Sequence, residues 1–168
     1  MKIRPYKSSD FDEIKNWINN EREHALWCAN LIHYPLEKHS FEKKFKEFSL
    51  KNNDIPYSVI TDEGKLIGFF CYGINSNTKE GKLKFIIISP AFRGKGYGQE
   101  MVSLAIKNIF TSTKAESVEL NVFSCHFKAK NCYLRVGFLL RSCIGKAFRF
   151  NDEVWARCNM VIKRSVLK

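Results

Sequence analysis

The run FIIISPAFRGKGYGQEMVSLAIKNIF, from Phe85 to Phe110, is a strand, a glycine-rich turn and a helix in unbroken succession. Phe85-Ile86-Ile87-Ile88 is β-branched and aromatic, the composition of a strand buried on both faces. Ser89-Pro90 stops it, because proline has no N–H for a ladder. Arg93-Gly94-Lys95-Gly96-Tyr97-Gly98 is a turn with three glycines. Met101, Val102, Ala105, Ile106 and Ile109 then recur at the spacing of one helix face. A helix start offers free N–H groups and the positive end of a dipole, and glycines let a ligand approach the main chain closely. Such a site suits a phosphate, with Arg93 and Lys95 adding charge.

Two common phosphate loops do not match. A Walker loop ends in Gly-Lys-Ser/Thr, whereas this one ends in Gly-Tyr-Gly, and a dinucleotide fingerprint is G-x-G-x-x-G, whereas this spacing is G-x-G-x-G. An ordinary glycine-rich strand–helix turn is the plain alternative. The stretch resembles the R/Q-x-x-G-x-G/A loop of the GNAT (Gcn5-related) N-acetyltransferases. Arg93, Gly96 and Gly98 stand at the motif positions, with Gly94 as a common extra. The resemblance implies that the loop, with Lys95 and Tyr97, holds the pyrophosphate of acetyl-coenzyme A (acetyl-CoA). It also implies that Ile86 and Ile88 of the preceding strand line the cofactor.

A second stretch, VFSCHFKAKNCYLRVGF at 122–138, is similar to the V-x-x-x-N-x-x-A-x-x-x-Y-x-x-x-G-F pattern of the same family. Val122, Ala129, Tyr133, Gly137 and Phe138 fit it. His126 stands where the family has an asparagine that bonds the pantetheine arm. A histidine also donates or accepts a hydrogen bond, so a binding role is retained there with altered geometry. The opening IRPYKSSDFDEIKNWI resembles the family's first strand and helix. The likeness is weakest at 21–56, which in the family lines the acceptor site together with the final hairpin.

At 168 residues the chain suits one domain, 1–168, with its own core. Its 45% hydrophobic and 14% aromatic content excludes a disordered chain. No apolar run approaches the ~20 residues of a membrane span, and MKIRPYKSSDF has no apolar signal core, so a cytoplasmic protein is expected. The net charge of +11 favours anionic partners and argues against a strongly cationic substrate such as a polyamine or aminoglycoside. The six cysteines form no Cys-x-x-Cys pair and are expected as reduced core residues. His24, His33 and His39 lack zinc spacing, so no metal is expected.

Lys2–Pro5 reads as a first strand, and Phe11, Ile14, Trp17 and Ile18 as a helix to about Asn20. Residues 21–56 are the least regular, with a partly helical start and a phenylalanine stripe, Phe41, Phe45 and Phe48, read as core. Strands follow at 57–61, 66–72, 83–88, 118–123, 138–144 with 148–150, and 154–162. Together with the resemblance, the order predicts an α/β fold: a mixed, mostly antiparallel central sheet with helices on both faces.

Acetyl transfer needs a neutral amine, a donor to the carbonyl oxygen and a proton for the leaving thiolate. The resemblance assigns the thiolate proton to Tyr133. The oxyanion donor is expected from a backbone N–H at Ile88. Glu119 is the first choice for the base, ahead of Glu23, His24 and Glu80, with water as an alternative relay. The reading is an acetyl-CoA-dependent N-acetyltransferase acting on a primary amine, as monomer or homodimer. Two other classes remain open: a coenzyme A-binding module with little turnover, and a basic nucleic-acid-associated protein, although the chain has no recognised nucleic-acid motif.

Overall fold

In the computed structural model, which describes residues 1–167, seven strands form one sheet. Lys168 lies outside the described residues. The strands are β1 (Lys2–Pro5), β2 (Ile55–Ile60), β3 (Leu66–Asn75), β4 (Glu80–Ile88), β5 (Ser117–Phe123), β6 (Leu139–Phe150) and β7 (Glu153–Lys163). Their order is β1-β2-β3-β4-β5-β7-β6. Every neighbouring pair is antiparallel except β4–β5, so the expected mixed, mostly antiparallel sheet is what forms.

Strand alternation sends successive side chains to opposite faces. Phe70, Tyr72, Leu83, Val118 and Leu120 face α4 (Tyr97–Ser112) and α5 (Phe127–Val136). Phe69, Cys71, Phe85 and Ile87 face α1 (Phe11–Ile14), α2 (Glu21–Cys28) and α3 (Lys38–Asn52). The phenylalanine stripe is core: Phe41 and Phe45 are buried, and both pack on Phe69.

Residues 21–56 are more regular than their composition suggests. They carry α2 and α3, of eight and fifteen residues. The first helix is shorter than expected. Its α-helical part is one turn flanked by 3-10 turns, and it does not reach Asn20. Asn20 starts the next helix instead, its side chain accepting the Glu23 N–H at 2.8 Å.

One irregularity makes room for a site. Phe69 pairs with Ile87, but Cys71 pairs with Lys84, so β4 carries an extra residue there, and Phe85 takes φ +52°. A bulge of this kind bends its strand. The parallel ladder between β4 and β5 ends at Leu83–Leu120, while β4 runs on to Ile88 beside β3, and β5 runs on to Phe123 beside β7. The two central strands therefore part like a wedge.

The expectation of six reduced cysteines needs correction. Cys143 and Cys158 face each other across β6 and β7 with Cα atoms 4.1 Å apart, and are joined as a disulfide. Strand register brings them together across fifteen residues of sequence. Cys28, Cys71, Cys125 and Cys132 are free.

Candidate active site

On one side of the wedge, β4 leads into the glycine loop and α4. Gly94 and Gly96 sit at φ +75° and +87°, where an L side chain is strained. A Cβ at either position would meet nothing within 4 Å. Glycine is required there by the backbone, not by a close neighbour, and the loop surface is open. Gly96 caps α4, and the N–H groups of Gln99 and Glu100 bond to its carbonyl. From Gly94 to Gly98, five consecutive N–H groups have no acceptor among the described residues. A nest of amides at a helix start is an anion site. This donor set fits the pyrophosphate of the expected cofactor.

The charged loop side chains are placed differently from expectation. Arg93 turns back into the fold, Nε donating to Ile88 O at 3.1 Å and Nη2 to Trp17 O at 2.8 Å. It ties the end of β4 to the first helical segment, and Glu23 lies 3.7 Å from its Nη1. Lys95 donates to Ala91 O at 3.0 Å. Tyr97 stands edge-on to Phe92. The anion donors of the loop are thus mainly its backbone.

Opposite the loop, α5 places His126 and Tyr133. A methyl on Gly98 would lie 3.7 Å from Cys132 Sγ, so α5 packs against the start of α4. Tyr133 is buried, edge-on to Phe138, and its hydroxyl has no hydrogen-bond partner among the described residues. Burial raises its pKa, with a smaller push from Cys132, so the phenol keeps its proton at neutral pH. His126 caps α5 and donates its backbone N–H to Phe123 O. Burial, then Arg93 and Arg22, lower its ring pKa, so the imidazole is neutral. Ile86 and Ile88 are half-buried against the α4 side.

On the other side of the wedge, under α2, lies a groove of about 170 Å³. Trp27, Phe85 and Phe123 form apolar walls, and Lys82, Lys84 and Arg157 also line it. Lys84 reaches the buried Asp54 at 2.6 and 2.8 Å. Lys82 reaches Glu119 at 2.9 Å. Glu119 is further held by Arg141 and by Asn159 Nδ2 at 2.9 Å. Burial alone would raise its pKa, but hydrogen bonds from Lys82 and Asn159 and the charges of Lys82 and Arg141 hold its carboxyl below the ordinary range. A carboxylate so engaged is a poor proton acceptor, which counts against the expected base.

The other base candidates are also committed. Glu80 pairs with Arg141 at 2.8 Å, and Glu23 Oε2 accepts from the Asn19 backbone N–H at 3.1 Å, just before the start of α2. His24, on the buried face of α2, is neutral because burial lowers its pKa, and its Nε2 is 3.3 Å from Cys28 Sγ. Sequence reading missed Trp27, Lys82, Lys84 and Arg157 as site residues. They come from three elements, α2, β4 and β7, and form no local pattern. Among the described residues, no group of three His, Cys, Asp or Glu is placed to hold a metal ion, and no helix is long and apolar enough to cross a membrane.

A split parallel strand pair, an amide nest on one branch and a groove on the other define an acyl-CoA-dependent transferase. The chain matches the family model described as "Acetyltransferase (GNAT) family" over residues 11–138, most of its length, and it belongs to that family. GNAT enzymes take acetyl-CoA as co-substrate. Solved structures with this fold include spermidine N-acetyltransferase from Vibrio cholerae in complex with CoA and spermine. It is 23% identical, with TM-score 0.80, covering 98% of this chain and 95% of that one. A chimera of the Vibrio cholerae enzyme with hSSAT is 21% identical, with TM-score 0.81, covering 99% and 98%. A dodecameric structure of the Vibrio cholerae enzyme in an intermediate state is 22% identical, with TM-score 0.78, covering 99% and 95%.

Proposed function

We propose that this chain, as a single domain, transfers the acetyl group of acetyl-CoA to a primary amine by direct attack on the thioester. The observation that carries the reading is the wedge between β4 and β5, with five free amides on one side and a lined groove on the other. Bound acetyl-CoA supplies an activated acyl group. Gly94–Gly98 hold its pyrophosphate through backbone N–H groups, and His126 hydrogen-bonds the arm where the family has asparagine. Main-chain N–H groups of β4 near Ile88, past the last pair with β5, are directed at the developing oxyanion.

Tyr133 is the acid for the departing thiolate. A phenol is protonated at neutral pH and burial raises its pKa further, so the unpartnered hydroxyl is ready to donate. The amine proton leaves through water at the groove mouth. Glu119, tied to Lys82, Arg141 and Asn159, sets the charge balance of the groove instead of taking that proton. On assembly, we retain the monomer or homodimer reading. Edge strand β6 exposes Leu139, Leu140 and Ile144, a surface that a second copy would cover. Light scattering gives the mass, and anything above twice 19.6 kDa overturns this part.

Calorimetric titration with acetyl-CoA at moderate salt, with ATP and NADH as controls, tests the cofactor side. Selective binding followed by amine-dependent thiol release supports the transferase. Binding without release from any amine points to the binding module, and tight salt-dependent RNA or DNA binding without coenzyme A binding points to the nucleic-acid reading.

A further inference from the structure

We infer that the acceptor is an amine carrying its own oxyanion, a carboxylate in the first instance, and not a polyamine. The inference rests on the acetyltransferase reading and deepens it.

The groove under α2 contains three cationic side chains, Lys82, Lys84 and Arg157, and among the described residues no carboxylate lines it. Two of the three cations are already neutralised from behind, Lys82 by Glu119 and Lys84 by Asp54. Arg157 is different. It lies on β7 opposite Phe123 of β5, exposed, with no hydrogen bond or ion pair among the described residues. Its guanidinium is the uncompensated charge of the groove.

A second donor in the same groove lacks a partner. The indole Nε1 of Trp27 is buried and has no acceptor among the described residues. Buried donors are almost always paired, so one left open at a site wall calls for a ligand oxygen. Arg157 calls for the same chemistry, since a guanidinium takes a carboxylate through two parallel N–H···O bonds. Both residues line the same groove, and the exposed guanidinium is the one a ligand oxyanion meets first.

Three carboxylates on or beside the strands that line the groove are not free to bind a second ammonium. Glu119 and Asp54 are committed to the lysines, and Glu153, at the far end of β7, is committed to Arg22 at 3.0 Å. A polycation would bring two or more positive charges to a groove whose only unpaired charge is positive, and like charges placed together repel. The net charge of +11 adds repulsion at longer range. The fold is shared with spermidine acetyltransferases, but the lining of this groove is not suited to their substrate class.

The test is initial-rate thiol release by the full chain with acetyl-CoA against matched acceptors. One set is β-alanine, β-alaninamide and 1,3-diaminopropane. The other is short peptides with a free N-terminus and Glu or Gln at the second position, with spermidine alongside both. The expected result is a kcat/KM at least tenfold higher for the carboxylate members than for their amides, with the diamine and spermidine lowest. Whichever set shows the larger preference identifies a small molecule or a peptide as the source of the carboxylate. Arg157→Gln should raise KM for the carboxylate acceptors roughly tenfold, the scale of one charge-assisted contact, and leave the acetyl-CoA Kd unchanged. Arg157→Lys should restore part of the loss. If spermidine is the best acceptor, or if amide and carboxylate are used equally, the inference fails and the transferase reading stands. If acetyl-CoA binds but no acceptor is acetylated, the inference fails together with the transferase reading, and the binding module is what remains. If acetyl-CoA itself does not bind, both fail.

Discussion

The two branches of the split sheet offer ligands different kinds of group. On the α4 side the free donors are backbone, five consecutive amides whose direction is set by Gly94 and Gly96 at positive φ. On the α2 side they are side chains, supplied by α2, β4, β5 and β7 and held in balance by ion pairs. A backbone site is insensitive to most substitutions, because every residue type carries the same amide. A side-chain site changes character with a single charge. The difference teaches why a family can keep one cofactor and serve many acceptors: the loop and the groove are on separate branches, and only the groove is written in side chains.

The comparison can be broken most directly at Asp54. Asp54→Ala leaves Lys84 facing the groove without its partner, and stability in urea should fall by about 3 kcal/mol, as for other broken buried pairs. A loss below about 1 kcal/mol would mean that the pair is effectively solvated, and that the groove charge is not built in. Next comes Tyr133→Phe, which should lower turnover about a hundredfold while acetyl-CoA affinity stays within about threefold. Equal losses in both quantities would make Tyr133 a packing residue.

On the backbone branch, Gly96→Ala should weaken acetyl-CoA binding roughly tenfold through strain at φ +87°, since no side chain stands in the way of the added methyl. Gly98→Ala, at an ordinary φ and with Cys132 at normal contact distance, is the control and should change the Kd less than about twofold. Similar losses from both would place steric contact ahead of backbone conformation. Glu119→Gln should reduce kcat by less than about fivefold, against the hundredfold or more of a lost general base.

The smallest effect is a pH dependence drawn from both branches. Burial holds the His24 and His126 rings neutral where a free histidine, at its ordinary value of 6.5, begins to protonate. The unfolded chain therefore binds more protons than the native one as pH falls below 6.5, and stability declines in that direction. Urea melts at pH 7 and 5.5 should show the loss, and His24→Gln and His126→Asn should each flatten it. An unchanged slope in both variants would assign the dependence to other groups.

The cofactor branch was legible because it is local. A strand, a proline stop, glycines and a helix face lie within 26 consecutive residues, and each element leaves a compositional mark. Even there the side chains misled. Arg93 reads as a phosphate contact, yet its donors are spent on Ile88 O and Trp17 O, a use that depends on a residue 76 positions away. The acceptor branch was illegible for the same reason throughout. Arg157 meets Phe123 by strand register, Lys84 meets Asp54 by the start of β2, and Cys143 meets Cys158 across a hairpin. Glu119 looked available because its position on β5 is visible in sequence and its three partners are not.

The extra residue in β4 has a consequence for how the protein meets its ligands. Because the strands part by covalent register, the opening exists in the free molecule. No hydrogen-bonded ladder has to be unzipped when a ligand arrives, and the main chain has little left to rearrange. Association should therefore resemble docking into a preformed slot, with an entropy loss confined to the ligand and a few side chains. The conformational cost of holding the slot open, Phe85 at φ +52° included, is met once, when the chain folds.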